Sequence, residues 1–208
     1  MARRVVVALL GPVAWAPPGI DPVAWRTALA DDVVDLLTTL NGVDPAVAVT
    51  SADRWLADAV LWPGTTVYEV PEPTVDAVLA AVVGDGRGGG GYDQAVVIAG
   101  DAPDLPGLII GKLLRPLTSR PVAVAPAEGS VGLLGLAMRL PVPEWLPAVD
   151  LDTARPAAVR AAAPRPGDLA VTSAWHRLRG PADLARLNPA LDGWDTTRAL
   201  LAGVGRPG

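Results

Sequence analysis

The chain has 208 residues, half of them hydrophobic, which is enough to fill an α/β core and excludes global disorder. Its formal net charge is −5, from 17 Lys and Arg against 22 Asp and Glu, so it lacks the basic excess of a nucleic-acid footprint. There is no cysteine, which excludes disulfides, thiolate metal sites and cysteine nucleophiles and fits a cytoplasmic protein.

Residues 4–10 form a short apolar run rich in valine, read as a first buried strand rather than a signal peptide, because Gly11-Pro12 interrupts it. A proline-rich loop follows at 11–19. Asp21 is a good N-cap and Pro22 suits a first helical position. Trp25, Leu29, Val33, Leu36, Leu37 and Leu40 then recur at helical spacing, and Asn41-Gly42 stops the helix. A strand is expected at 46–50, a short helix at 53–60, a strand at 65–70 and a helix at 74–83. The run 84–91 contains six glycines. It follows a helix, precedes a strand and carries no Lys, so it reads as a flexible connector rather than a phosphate loop. A buried strand at 94–99 follows, then a helix at 106–114 and a strand at 121–126. A strand at 131–138 reads as a hairpin partner or reversed strand. A helix is expected at 153–163, a last strand at 169–174 and closing helices at 181–187 and 194–201. No run of about 18 apolar residues exists, so no membrane span is expected. The alternation of strand and helix predicts a mostly parallel sheet covered on both faces, in one domain spanning 1–208.

Two stretches carry candidate chemistry. The strand at 94–99 ends abruptly in Gly100-Asp101-Ala102-Pro103-Asp104. Ligands of open α/β sheets bind at the carboxyl ends of the strands. Two carboxylates on a tight turn there suit Mg²⁺ or Mn²⁺ bridging nucleotide phosphates. The competing reading makes Asp101 a turn cap and Asp104 the cap of the next helix. The second stretch is Ala125-Pro126-Ala127-Glu128-Gly129-Ser130, continuing to Gly132 and Gly135. Its glycines would let backbone approach a sugar or phosphate closely, or merely relieve crowding in a hairpin. Ser130 lacks the glycine two residues earlier that a nucleophile elbow needs, which argues against a hydrolase built on Ser130 and His176. His176 is the only histidine and reads as structural or surface. Among the seven tryptophans, Trp15 is the one placed to stack on a ring.

Gly-Asp-Ala-Pro, followed at about 25 residues by Pro-Ala-Glu-Gly and Gly-Leu-Leu-Gly-Leu, resembles the small bacterial glycosyltransferase-like proteins of the nucleotide-diphospho-sugar transferase superfamily. Their relatives include the guanylyltransferase acting on phospholactate. The segment from Gly180 to Leu187 resembles the family's closing helix. The resemblance implies a three-layer α/β/α sandwich of the GT-A type and metal-assisted nucleotidyl or glycosyl transfer. It implies that Asp101 holds Mg²⁺ or Mn²⁺ and the diphosphate, with Asp104 as supporting metal carboxylate and Gly100 beside them. Glu128, with Gly129 and Ser130, would face the acceptor. A nucleotide or nucleotide-sugar is the implied partner, with a homodimer as a further expectation and neither nucleic acid nor membrane. The departures are also specific. The first loop has no basic residue, and Leu178-Arg179-Gly180 stands where the family carries Asp-Val-Asp. A phosphate site without Lys or Arg loses its main attraction, which implies a diverged or inactive member. A non-catalytic protein binding a small molecule or a partner protein is therefore the alternative. Whether an arginine from elsewhere, such as Arg3, Arg4 or Arg54, reaches Asp101 would separate the two, a site with no cation nearby favouring the non-catalytic reading.

Overall fold

The computed structural model describes residues 2–84 and 91–204; residues 85–90 of the glycine-rich run lie outside them. Seven strands form one sheet: β1 (Arg4–Leu9), β2 (Asp44–Val49), β3 (Thr66–Glu69), β4 (Gln94–Ala99), β5 (Val122–Pro126), β6 (Leu133–Arg139) and β7 (Leu169–Val171). Their order is β3-β2-β1-β4-β6-β5-β7. All pairings are parallel except those of β6, which runs antiparallel to β4 and to β5. The reversal is forced by chain length. Only a short turn joins β5 to β6, and parallel neighbours need a crossover of a dozen residues or more.

Helices α1 (Pro22–Thr39), α2 (Arg54–Val60) and α4 (Gly107–Leu114) cover one face of the sheet; α3 (Val75–Gly84) and α5 (Pro156–Ala162) cover the other. The period-2 pattern of β1 explains the split. Val6 and Ala8 join the layer under α1, α2 and α4, whereas Val5 and Val7 join the layer under α3 and α5. Both faces of β4 are buried, as its unbroken apolar run requires. Helix α1 starts as its sequence dictates: the Asp21 carboxylate accepts from the Ala24 N–H at 2.9 Å, and Pro22 opens the helix. Gly42, at φ +74°, turns the chain toward β2.

A third, smaller cluster joins Ile20, Trp25, Leu29 and Leu178 with Trp15, Leu184 and Leu200. It packs the C-terminal segments onto α1. Helix α6 (Asp195–Val204) is anchored there by Asp32, which accepts from the Thr196 and Thr197 N–H groups at 3.0 and 2.8 Å. This carboxylate caps a helix through a bond spanning 164 positions in sequence, a partner that no local pattern reveals.

The expected elements sit close to their sequence positions, with two differences, and the Trp15 ring has a different partner from the one expected. The last strand ends at Val171, because Thr172 to Trp175 follow the end of β5 through single hydrogen bonds rather than a full ladder. The closing segment Pro181–Arg186 is a 3₁₀ helix rather than an α-helix. Trp15 packs edge-on against Trp25, ring centroids 6.1 Å apart, inside the third cluster.

Candidate functional site

A cleft of about 210 Å³ opens over the carboxyl ends of β1 and β4. The chain winds from β1 through β2 to β3 on one side, then returns to place β4 on the other side of β1. Loops leaving β1 and β4 therefore diverge, and a crevice is left between them. Leu10, Gly11, Pro12 and Val13 of the first loop line it, with Ala30 of α1, Leu56 of α2 and Pro73 as further apolar wall. Its polar lining is Arg26, Thr74, Asp101, Asp150, Asp152 and Arg177.

Asp101 arrives at the cleft because β4 ends at Ala99 and Gly100 makes the turn. A Cβ on Gly100 would stand 3.1 Å from the Leu9 carbonyl oxygen and closer still to Leu10 Cδ2, so the position favours glycine. Asp101 is 7% exposed, and both its oxygens are taken by one side chain. Arg177 Nε donates to Oδ1 at 2.6 Å and Nη2 donates to Oδ2 at 2.9 Å. The second Nη2 hydrogen goes to Asp152 Oδ1 at 2.7 Å. Nη1 donates to the carbonyls of Leu133 and Leu151 at 3.1 and 3.0 Å. All five guanidinium donors are thereby satisfied on a side chain that is 6% exposed. Burial opposes the Arg177 charge, but the Asp101 and Asp152 carboxylates outweigh it and raise its pKa above the ordinary arginine value.

The chain delivers Arg177 here by running its C-terminal segment along the strand ends. Thr172 N–H donates to the Val124 carbonyl, Trp175 N–H to the Pro126 carbonyl and Leu178 N–H to the Asp101 carbonyl. Arg177, rather than the Leu178-Arg179-Gly180 segment set against Asp-Val-Asp, is the residue that faces Asp101. Arg3, Arg4 and Arg54 pair elsewhere, with Asp44, Gln94 and Asp58.

Asp104 is 2% exposed and turned away from the cleft. It accepts from Trp175 Nε1 at 3.2 Å and from the Asn188 N–H at 3.1 Å. His176 Nε2 lies 2.9 and 3.1 Å from its two oxygens. The Trp175 and His176 rings stack at 5.0 Å, so one buried carboxylate organises the whole closing segment. His176 is structural, with its Nε2 committed to Asp104. Glu128 and Ser130 are exposed, and neither they nor Gly129 line the cleft. Gly129, at φ +71°, has the Arg186 guanidinium against the place of a Cβ. Gly132, at φ +111°, lets the turn pass against the Leu151 and Asp152 carbonyls. The second motif thus shapes the wall that holds Asp152, while Gly100 and Asp101 are the predicted residues that reach the cleft.

The first loop has no basic side chain of its own, but Arg26 reaches back from α1 to serve it. Its Nη2 donates to the Leu10 and Gly11 carbonyls at 3.3 and 3.1 Å, and its Nη1 pairs with Asp53 at 2.6 Å. Helical position 26 lies one turn into α1, and that geometry is the signal that the sequence offered for it.

The donor set does not fit a divalent metal on Asp101. Among the described residues, no group of three or more His, Cys, Asp or Glu is arranged to hold one. An ion on the same carboxylate would stand roughly 4 Å from the guanidinium, where a +2 and a +1 charge repel by about 8 kcal/mol at an effective dielectric constant of ~20.

Compared with solved structures, the chain superposes over nearly its whole length on several proteins of one architecture. A Desulfovibrio desulfuricans protein described as a nucleotide-diphospho-sugar transferase matches with TM-score 0.62 at 15% identity, covering 98% of each chain. The chain has the nucleotide-diphospho-sugar transferase fold. CMP:2-keto-3-deoxy-manno-octonic acid synthetase, solved with CTP, matches this fold with TM-score 0.54 at 16% identity, over 98% of this chain and 99% of that one. Mycobacterium tuberculosis Rv0371c, solved with manganese, matches with TM-score 0.53 at 17% identity, over 97% and 98%. No family model matches the chain, and no curated protein does. No helix among the described residues is long and apolar enough to cross a membrane.

Proposed function

We propose that the chain binds a nucleotide or nucleotide-sugar in the cleft over β1 and β4, as a nucleotidyl- or glycosyltransferase-type protein. The observation that supports this reading is the cleft itself, lying where the strand order reverses. It has an apolar wall of Leu10, Val13, Leu56 and Pro73 for a flat ring. Asp150 and Asp152 also line it, as acceptors for sugar hydroxyls. The similarity to a synthetase solved with CTP agrees with it.

Charge sets the expected order of ligands. Three carboxylates line the cleft against two guanidinium groups, and both of those are already paired. Each added phosphate charge is disfavoured there, so a nucleotide-sugar, the donor of the glycosyltransferase reading, is expected to bind better than a triphosphate, the donor of the nucleotidyltransferase reading. The test is a calorimetric titration of nucleosides, nucleotides and nucleotide-sugars, with a turnover assay on whichever binds. Saturable binding that Gly11→Trp blocks supports the reading; a silent panel overturns it.

A second reading is a non-catalytic protein of the same fold that binds a small molecule or a partner. An arginine does reach Asp101, but all five Arg177 donors are committed within the protein, so no free cation is left for a leaving phosphate, and that favours this reading. Binding without turnover of any bound donor selects this reading.

A further inference from the structure

We infer that the Arg177 guanidinium stands in this chain where a divalent cation would stand on Asp101, so that the cleft takes its ligand without metal. The ligand half of this statement rests on the reading that the cleft binds a nucleotide or nucleotide-sugar; the metal half does not.

Three features of the geometry carry it. First, the guanidinium bridges two carboxylates, Asp101 and Asp152, that come from different segments, as a bound ion would. Second, it is locked in place. Its remaining two donors go to the Leu133 and Leu151 carbonyls, so rotating the side chain away would strand the buried Asp101 carboxylate and take a donor from each carbonyl. Third, the charges close on themselves. Arg179 lies 3.7 Å from Asp152 and donates to the Val131 carbonyl at 3.0 Å. Asp101, Asp152, Arg177 and Arg179 therefore sum to zero, with Asp150 a further carboxylate lining the cleft.

An arginine differs from a metal ion in one consequence that matters to the ligand. It cannot leave with the product or be removed by a chelator, and with five donors committed it has none to offer a phosphate. Arg177 is thus a positioning residue that ties β4, β6 and the Asp150–Asp152 turn together, and the ligand meets carboxylates rather than a coordinated ion.

The experiment is a Mn²⁺ titration of the full chain read by electron paramagnetic resonance, with the nucleotide panel titrated in parallel with EDTA and with Mg²⁺. The wild-type chain is expected to leave the free-ion signal undiminished. Arg177→Ala, which exposes Asp101 and Asp152, is expected to take up Mn²⁺, and adding Asp101→Asn is expected to abolish that uptake. Arg177→Gln, which retains an amide donor for the carbonyls, serves if the alanine variant does not fold. Wild-type uptake of Mn²⁺ that Asp101→Asn removes overturns the inference, as does a folded Arg177 variant that takes up none. A nucleotide bound only with Mg²⁺ present also overturns it while leaving the ligand reading standing. A silent nucleotide panel combined with Mn²⁺ uptake in the Arg177 variant overturns the ligand reading alone.

Discussion

Arg177→Ala is the substitution whose cost follows most directly from the structure. It removes five hydrogen bonds and leaves Asp101, 7% exposed, without its counter-ion. Breaking a buried ion pair from one side costs about 3–5 kcal/mol, because the abandoned charge stays buried. Asp152 adds little, since its side chain is nearly half exposed and water replaces its partner. Leu151 O keeps the Leu133 N–H at 2.8 Å, so that carbonyl is not orphaned. A loss of about 4 kcal/mol is expected, a large share of the ~5–15 kcal/mol that holds a domain folded. For a chain of this length it lowers the melting temperature by about 8–16 °C. Urea unfolding followed by far-ultraviolet circular dichroism measures it as a lower midpoint at unchanged slope. The double variant Arg177→Met with Asp101→Asn strands no charge, so it should cost clearly less than Arg177→Ala alone. A loss below about 1 kcal/mol for Arg177→Ala, or a double variant as costly as the summed singles, would refute the argument.

Asp104→Ala leaves Trp175 Nε1, His176 and the Asn188 N–H without their acceptor; it should cost about 3 kcal/mol and shift tryptophan fluorescence as the closing segment loosens. Asp32 has its pKa raised by burial, against the lowering effect of its Thr197 and Thr196 hydrogen bonds. A raised folded value means that its stabilising contribution is full below the unfolded value and is lost as pH rises through the folded one. The stability of wild type relative to Asp32→Asn should therefore fall as pH is raised from below the unfolded value through the folded one, and a flat difference in melting temperature across that rise would contradict this. Asp53 has the opposite sign. Its hydrogen bond from Arg26 holds its carboxyl below the usual range, so the advantage of wild type over Asp53→Asn, about 1 kcal/mol, should be fully present above the unfolded value and be lost as pH falls through the folded one. Gly132→Ala forces a side chain into φ +111° and against the Leu151 and Asp152 carbonyls; thermal unfolding should show a loss of about 2 kcal/mol or more.

The strands and most helices were legible because their signals are local. The apolar runs at β1 and β4, the Asp21-Pro22 start of α1 and the reversed β6 each follow from residues close in sequence. The GT-A resemblance in the Gly-Asp-Ala-Pro and Pro-Ala-Glu-Gly motifs pointed to the fold that the solved neighbours share. Legibility weakened toward the C-terminus. Leu169–Val171 is a shorter strand than its apolar run suggested, because Thr172 to Leu178 bond to strand ends and to the Asp101 turn instead.

By itself the sequence determined the alternating elements, the two-faced burial of the sheet and the arrival of Asp101 at a strand end, since periodicity and turn chemistry act over a few residues. Only the tertiary structure decided what each carboxylate does. Asp101 meets Arg177 across 76 positions, Asp104 meets His176 across 72, and Asp32 caps α6 across more than 160. Charge pairing depends on distance in space and on exclusion of water. Neither quantity exists until the closing segment has folded over the strand ends.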